Sequence, residues 1–94
     1  MIDVLVHHRV ADYDAWQVVY DRILGEPLGS AVRAHRIWRG LDDPNLVVLV
    51  ETYDSREAAE AAFAQPGLPA VLDEAGVEME SVRLDYLEEV ASGS

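Results

Sequence analysis

Cysteine is absent from this chain, and so is lysine. The first absence excludes a disulfide framework, a thiolate nucleophile and a thiolate metal site. The second excludes Schiff-base chemistry, because all seven basic residues are arginine. No apolar run approaches the ~18 residues that a membrane helix needs. The N-terminus begins on strand-like residues and lacks the basic, apolar and small-residue succession of a signal peptide, so a cytoplasmic protein is the simplest expectation. A Gly-rich phosphate loop and a Ser-centred nucleophile motif are missing, and no carboxylate pair stands out from the acidic background. Positive charge is scarce: seven Arg face eighteen Asp and Glu, for a net charge of −11. Residues 1 to 40 carry five of each sign, so the acidity belongs to the second half, with two Arg against thirteen Asp and Glu. Such a surface repels phosphate backbones and anionic lipid, and neither a nucleic acid nor a membrane is an expected partner. Arg33, Arg36 and Arg39 form a small basic island that could face an acidic ligand or a partner chain.

What is present is a 94-residue chain, half of it apolar. That is one domain, residues 1 to 90 with a frayed tail at 91 to 94, near the size where oligomerisation often supplements the core. The stretch from Val4 to Trp16 organises it, because the period changes there. Up to Val10 the apolar residues follow the two-residue repeat of a strand, and from Tyr13 they follow that of a helix. Asp12 lies at the junction, where its carboxylate can cap the helix. Ile2, Val4, Val6, His8 and Val10 form the core parity of the strand; Leu5, His7 and Arg9 form the other.

The helix sets Tyr13, Trp16, Val19, Tyr20, Ile23 and Leu24 along one stripe, with Gly25 as its C-terminal cap. Residues 26 to 31 read as a mobile connection and the best loop for a lid. A second strand is predicted over 32 to 39, then a turn at Asp42-Asp43-Pro44-Asn45 and a third strand over 46 to 53. Leu46 to Val50 is apolar on both parities and is expected at the centre of the sheet, with the Arg-rich second strand at its edge. Asp54 and Glu57 suggest a capping box opening a helix to about Gln65. Pro69 starts a short helix capped by Gly76, and a last strand spans about 80 to 87.

The order strand, helix, strand, strand, helix, strand is that of a ferredoxin-like α+β sandwich, with a four-stranded antiparallel sheet and helices on one face. Right-handed crossovers place strands one and three in the centre. The other face would leave an apolar patch bare, and a homodimer with two sheets packed face to face would cover it.

The run from His8 to Trp16, the later Ile37-Trp38-Arg39 before the Asp-Asp-Pro-Asn turn, and the apolar third strand leading to Tyr53-Asp54 resemble the dimeric α/β-barrel superfamily. Within it the chain is similar to small single-domain proteins related to antibiotic-biosynthesis monooxygenases and polyketide cyclases. The resemblance covers nearly the whole chain and implies a cavity between sheet and helices that takes a small hydrophobic or aromatic ligand. Haem-degrading relatives carry a haem-ligating His on the second helix, and Asp54 to Gly76 contains none, so no cofactor is expected.

His8, Trp16, Tyr20 and Tyr86 are expected to line that cavity. His35 and Trp38 fall on opposite parities of the second strand, so at most one of them joins. A His with an ordinary pKa near ~6.5 can take a proton from a phenol or an activated methylene. Tyr86 could then hydrogen-bond the enolate oxygen, and the Trp rings could stack on a planar substrate. This describes a cofactor-independent cyclase or monooxygenase with His8 and Tyr86 as catalytic groups and Trp16, Tyr20, His35 and Trp38 as binding groups. The plainer alternative makes Trp16 and Tyr20 core, His8 a hydrogen-bonded core residue, and the protein a non-catalytic dimeric module for ligand binding or stress response. A metal site using His7, His8 or His35 is not expected, because adjacent strand residues cannot point at one ion.

Overall fold

The computed structural model describes residues 1–94. Its regular elements are β1 (Ile2–Arg9), α1 (Tyr13–Leu24), β2 (Ala34–Arg39), β3 (Leu46–Tyr53), α2 (Arg56–Phe63), α3 (Leu68–Glu74) and β4 (Arg83–Leu87). The strands form one antiparallel sheet in the order β2-β3-β1-β4, so the two most apolar strands are central. This is the ferredoxin-like sandwich expected from the element order. No helix is long and apolar enough to cross a membrane.

Local chemistry explains where the elements begin and end. Asp12 has extended backbone and accepts a hydrogen bond from the Ala15 N–H at 2.9 Å, which satisfies one orphan donor of α1. Gly25 closes the helix through its own N–H. Gly76 ends α3 at a φ of +74°, where an alanine Cβ would also come within 3.3 Å of the Ala11 Cβ.

Three expectations need correction. The cap of α2 is Ser55, whose hydroxyl accepts from the Ala58 N–H, while Asp54 is drawn into a bidentate pair with Arg33 at 2.7 and 3.1 Å. Residues 26 to 31 are not a free lid: Pro27–Gly29 is a 3-10 turn, Gly29 is buried and Leu28 packs against the main core. The last strand begins at Arg83, after a 3-10 turn at Met79–Ser81, and nothing regular follows Leu87.

β3 alternates buried and half-buried residues along its length, which fixes the faces of the sheet. Val47, Leu49, Glu51 and Tyr53 lie under the helices; Leu46, Val48, Val50 and Thr52 lie on the other side. The main core joins Val10, Val47, Leu49 and Val77 to Trp16, Val19 and Ile23 of α1. A smaller cluster under α2 joins Val4, Tyr53 and Ala59. On the far side, Trp38, Val48, His7 and Arg83 make one row across all four strands, and Arg36, Val50, Leu5 and Asp85 make the next. No helix covers these rows.

Candidate functional site

The space between α1, α3 and the sheet is not filled. A cavity of about 290 Å³ remains there, and twenty of its twenty-three lining residues are hydrophobic. Only His8 and Glu51 bring titratable groups other than tyrosine hydroxyls to the wall. Half-exposed Met79 and Leu84 mark its mouth. Trp16 is 3% exposed and stacks on Tyr20, with ring centres 5.0 Å apart and planes 8° from parallel. Three of the residues singled out from the sequence, His8, Trp16 and Tyr20, therefore meet at one cavity.

His8 is 3% exposed and sits edge-on to Trp16 at 5.6 Å. Its Nδ1 lies 3.1 Å from the carbonyl oxygen of Val47. A carbonyl can only accept, so Nδ1 carries the proton and Nε2 of the neutral ring is left as an acceptor. Burial holds the imidazole below its ordinary pKa; the bond to Val47 opposes this, and the neighbouring His7 adds slightly to the fall.

The second polar group was not singled out from the sequence. Glu51 is 6% exposed, and its two carboxylate oxygens accept hydrogen bonds from the hydroxyls of Tyr20 at 2.7 Å and Tyr53 at 3.0 Å. Burial pushes the carboxyl above the usual carboxylate range, against the pull of the two hydroxyls and of His35. Burial and the Glu51 charge push both phenols far above the ordinary tyrosine value.

The sign of the resulting pH dependence follows from linkage. A carboxyl with a raised folded-state pKa contributes stability that is fully present below its ordinary value of 4.5 and is lost as pH rises through the folded value. Urea unfolding of wild type and Glu51→Gln between pH 4 and 8 is therefore expected to show the wild type losing ground to the variant as pH rises. A constant difference across that range would show that the carboxyl is not strained by burial.

The other candidate residues lie elsewhere. Tyr86 is on the helix side of the sheet, but in the cross-strand row His35, Glu51, Val4, Tyr86 the buried Val4 separates it from Glu51. It packs with the smaller cluster, under the Arg56 guanidinium at 4.7 Å. His35 is exposed but adjoins the site: it pairs with Glu51 across the strands and meets the edge of the Tyr20 ring at 5.6 Å. Trp38 is on the uncovered face, 45% exposed, with Arg36 over its ring at 4.9 Å. Nor are the three arginines a free basic island: Arg33 is paired with Asp54, and Arg39 lies over the Tyr13 ring at 4.2 Å.

No family model and no curated protein matches this sequence. Solved structures do match in shape. SnoaB, a cofactor-independent oxygenase from Streptomyces nogalater, superposes with a TM-score of 0.72 at 16% identity, over 97% of this chain and 94% of that one. A protein described as an antibiotic biosynthesis monooxygenase gives 0.68 at 15% identity, over 97% of this chain and all of that one. An Arabidopsis thaliana protein gives 0.72 at 11% identity, with each chain covered completely. The fold is that of the antibiotic biosynthesis monooxygenase-like proteins. At these identities the likeness to the monooxygenase-like proteins is one of architecture, and the chemistry has to be argued from the cavity itself.

Proposed function

We propose that this chain is a cofactor-independent enzyme, cyclase or monooxygenase-like, acting on an aromatic or polyketide-like small molecule held between sheet and helices. The observation that carries the reading is an apolar cavity of about 290 Å³ with His8, whose proton is held by Val47, among its lining residues. A preformed apolar pocket with few polar groups is the usual form of a small-molecule site. His8 is the base: Nε2 takes a proton from a phenol or an activated methylene, while Nδ1 stays bonded to Val47 and fixes the tautomer. In a cyclase the resulting carbanion attacks a carbonyl of the same molecule, and the imidazolium returns the proton to the new alkoxide. In an oxygenase the anion instead donates an electron to dissolved dioxygen; the substrate radical and superoxide combine to a peroxide anion, which takes the proton back from the imidazolium and loses water to leave a new carbonyl. Burial keeps the imidazole neutral, which is the form a base needs.

The test is incubation in air with anthrones, naphthols and linear β-diketones without added cofactor, following absorbance and oxygen uptake. Turnover of any of them supports the enzyme. Binding of several without turnover favours the alternative, a non-catalytic dimeric ligand-binding protein, to which the backbone bond of His8 is equally suited.

The same reading includes a homodimer formed through the uncovered sheet face. Trp38, Val48, Leu5 and Val50 give that face an apolar centre, and the covered Nδ1 of His7 has no partner within the chain. Val48 lies between Trp38 and His7, so Val48→Asp places a carboxylate at the middle of the contact. Removing a central apolar contact of this kind costs about 2 kcal/mol or more, which corresponds to a dimer at least about 30-fold weaker. Sedimentation is expected to find a wild-type dimer and a folded Val48→Asp monomer at micromolar concentration. A wild-type monomer at high concentration would overturn the dimer without touching the cavity.

A further inference from the structure

The titratable groups at the cavity wall offer acceptors, and the indole N–H of Trp16 is a side-chain donor there. The tyrosine hydroxyl protons of Tyr20 and Tyr53 are directed to Glu51, so their oxygens and the remaining carboxylate lone pairs can only accept. His8 spends its proton on Val47, so its other ring nitrogen can only accept. No arginine lines the cavity, and the chain contains no lysine. His35, on the edge strand, pairs with Glu51 across the sheet but is exposed. Glu51 thus has two neutral donors and no arginine or lysine at the cavity, in a space whose wall also presents the rings of Trp16, Tyr20, Tyr53 and Phe63. A buried carboxylate in that state is costly until a cation reaches it, and aromatic faces favour the same charge.

We infer that the cavity recognises a protonated amine on an apolar or aromatic body, with the ammonium group hydrogen-bonded to Glu51 and the body against Trp16. The inference rests on the reading of the cavity as a ligand site, and it adds the charge of the ligand. An ammonium brings donors alone to the Glu51 carboxylate, which can only accept. A carboxylate ligand would bring a second negative charge beside Glu51.

The probes are 2-naphthylmethylamine and its neutral counterpart 2-naphthylmethanol, titrated by calorimetry and Trp fluorescence at pH 7.5 in 0.5 M salt. The high salt suppresses attraction to the acidic surface. The amine is expected to bind at least about tenfold more tightly than the alcohol, the gain of one charge-assisted hydrogen bond. Glu51→Gln is expected to remove that preference and leave the affinity for the alcohol unchanged. A measurement on the wild type covers the case of a variant that fails to fold: the Glu51 side-chain carboxyl, followed by carbon NMR, is expected to titrate at lower pH with the amine bound and unchanged with the alcohol. Equal or tighter binding of the alcohol, or an amine preference that survives Glu51→Gln, overturns the inference while leaving the cavity a ligand site. If neither probe binds, the cavity reading falls and the inference with it.

Discussion

Trp16→Ala is expected to cost about 3–5 kcal/mol of folding stability, the range for deleting a buried large aromatic side chain. The side chain is 3% exposed and touches the rings of Tyr13, Tyr20 and His8, so its loss removes packing on three sides. It would also enlarge a cavity that already measures about 290 Å³, and a neighbourhood with free space has little left to collapse onto the gap. Against a total stability of about 5–15 kcal/mol for a domain of this kind, that change leaves the fold marginal. The melting temperature is expected to fall by more than about 12 °C, at about 4 °C or more per kcal/mol in a chain this short. Thermal unfolding followed by circular dichroism reads the effect, with Val18→Ala as the control, since that side chain on the same helix is 70% exposed. A loss under about 1.5 kcal/mol would mean that Trp16 is a replaceable pocket wall rather than a structural support.

Both roles were open in the sequence because a stripe at helical spacing looks the same in either. Trp16, Tyr20 and Ile23 fall on one face of α1 whether that face meets side chains or an empty volume. The fold itself was far more legible. The change of period at Asp12, the Pro-Asn turn between β2 and β3, and the apolar parity of β1 are local signals, and each agrees with the sheet order β2-β3-β1-β4. Boundaries failed where two side chains could do the same work. Asp54 and Ser55 are both good caps, and the choice between them is made by Arg33, twenty-one residues from Asp54. The start of β4 failed similarly: Glu80 and Ser81 fit an alternating pattern, but the Ser81 hydroxyl donates to the Glu78 carbonyl at 2.5 Å, accepts from the Arg9 N–H and holds a turn.

The site was legible in part for the same reason. Parity alone placed His8 under the helices. It also placed Tyr86 on the correct side, but how far along a strand a residue meets its neighbours is set by register, and the register pairs Tyr86 with Val4. Glu51 was missed although a signal existed. The parity Val47, Leu49, Glu51, Tyr53 puts a carboxylate between two core positions, and a buried carboxylate needs partners. Reading Leu46 to Val50 as a run covered on both faces hid that continuation. The partner Tyr20 lies thirty-one residues away, on another element.

His8→Ala is expected to lower turnover of a responsive aromatic substrate by about 10²–10⁴-fold, the contribution of a positioned general base. Two features of the residue let this be told from a structural loss. Removing a ring that is 3% exposed lowers folding stability as well, so activity has to be compared at a temperature where the variant is folded. The pH profile then separates the roles. Burial lowers the imidazole pKa, so the folded protein resists a proton that the unfolded chain takes up at an ordinary value of 6.5. The stability linked to His8 is complete above that value and is lost as pH falls toward the folded-state value. The acid limb of turnover is expected to lie below pH 6.5, and to vanish in His8→Ala along with most of the rate. Ligand affinity is expected to survive, because the apolar wall and Glu51 stay in place. A variant that keeps wild-type turnover would remove His8 from the chemistry and leave Glu51 as the one acid or base at the cavity wall. A variant that loses binding and turnover together would show that the ring holds the pocket open instead of moving a proton.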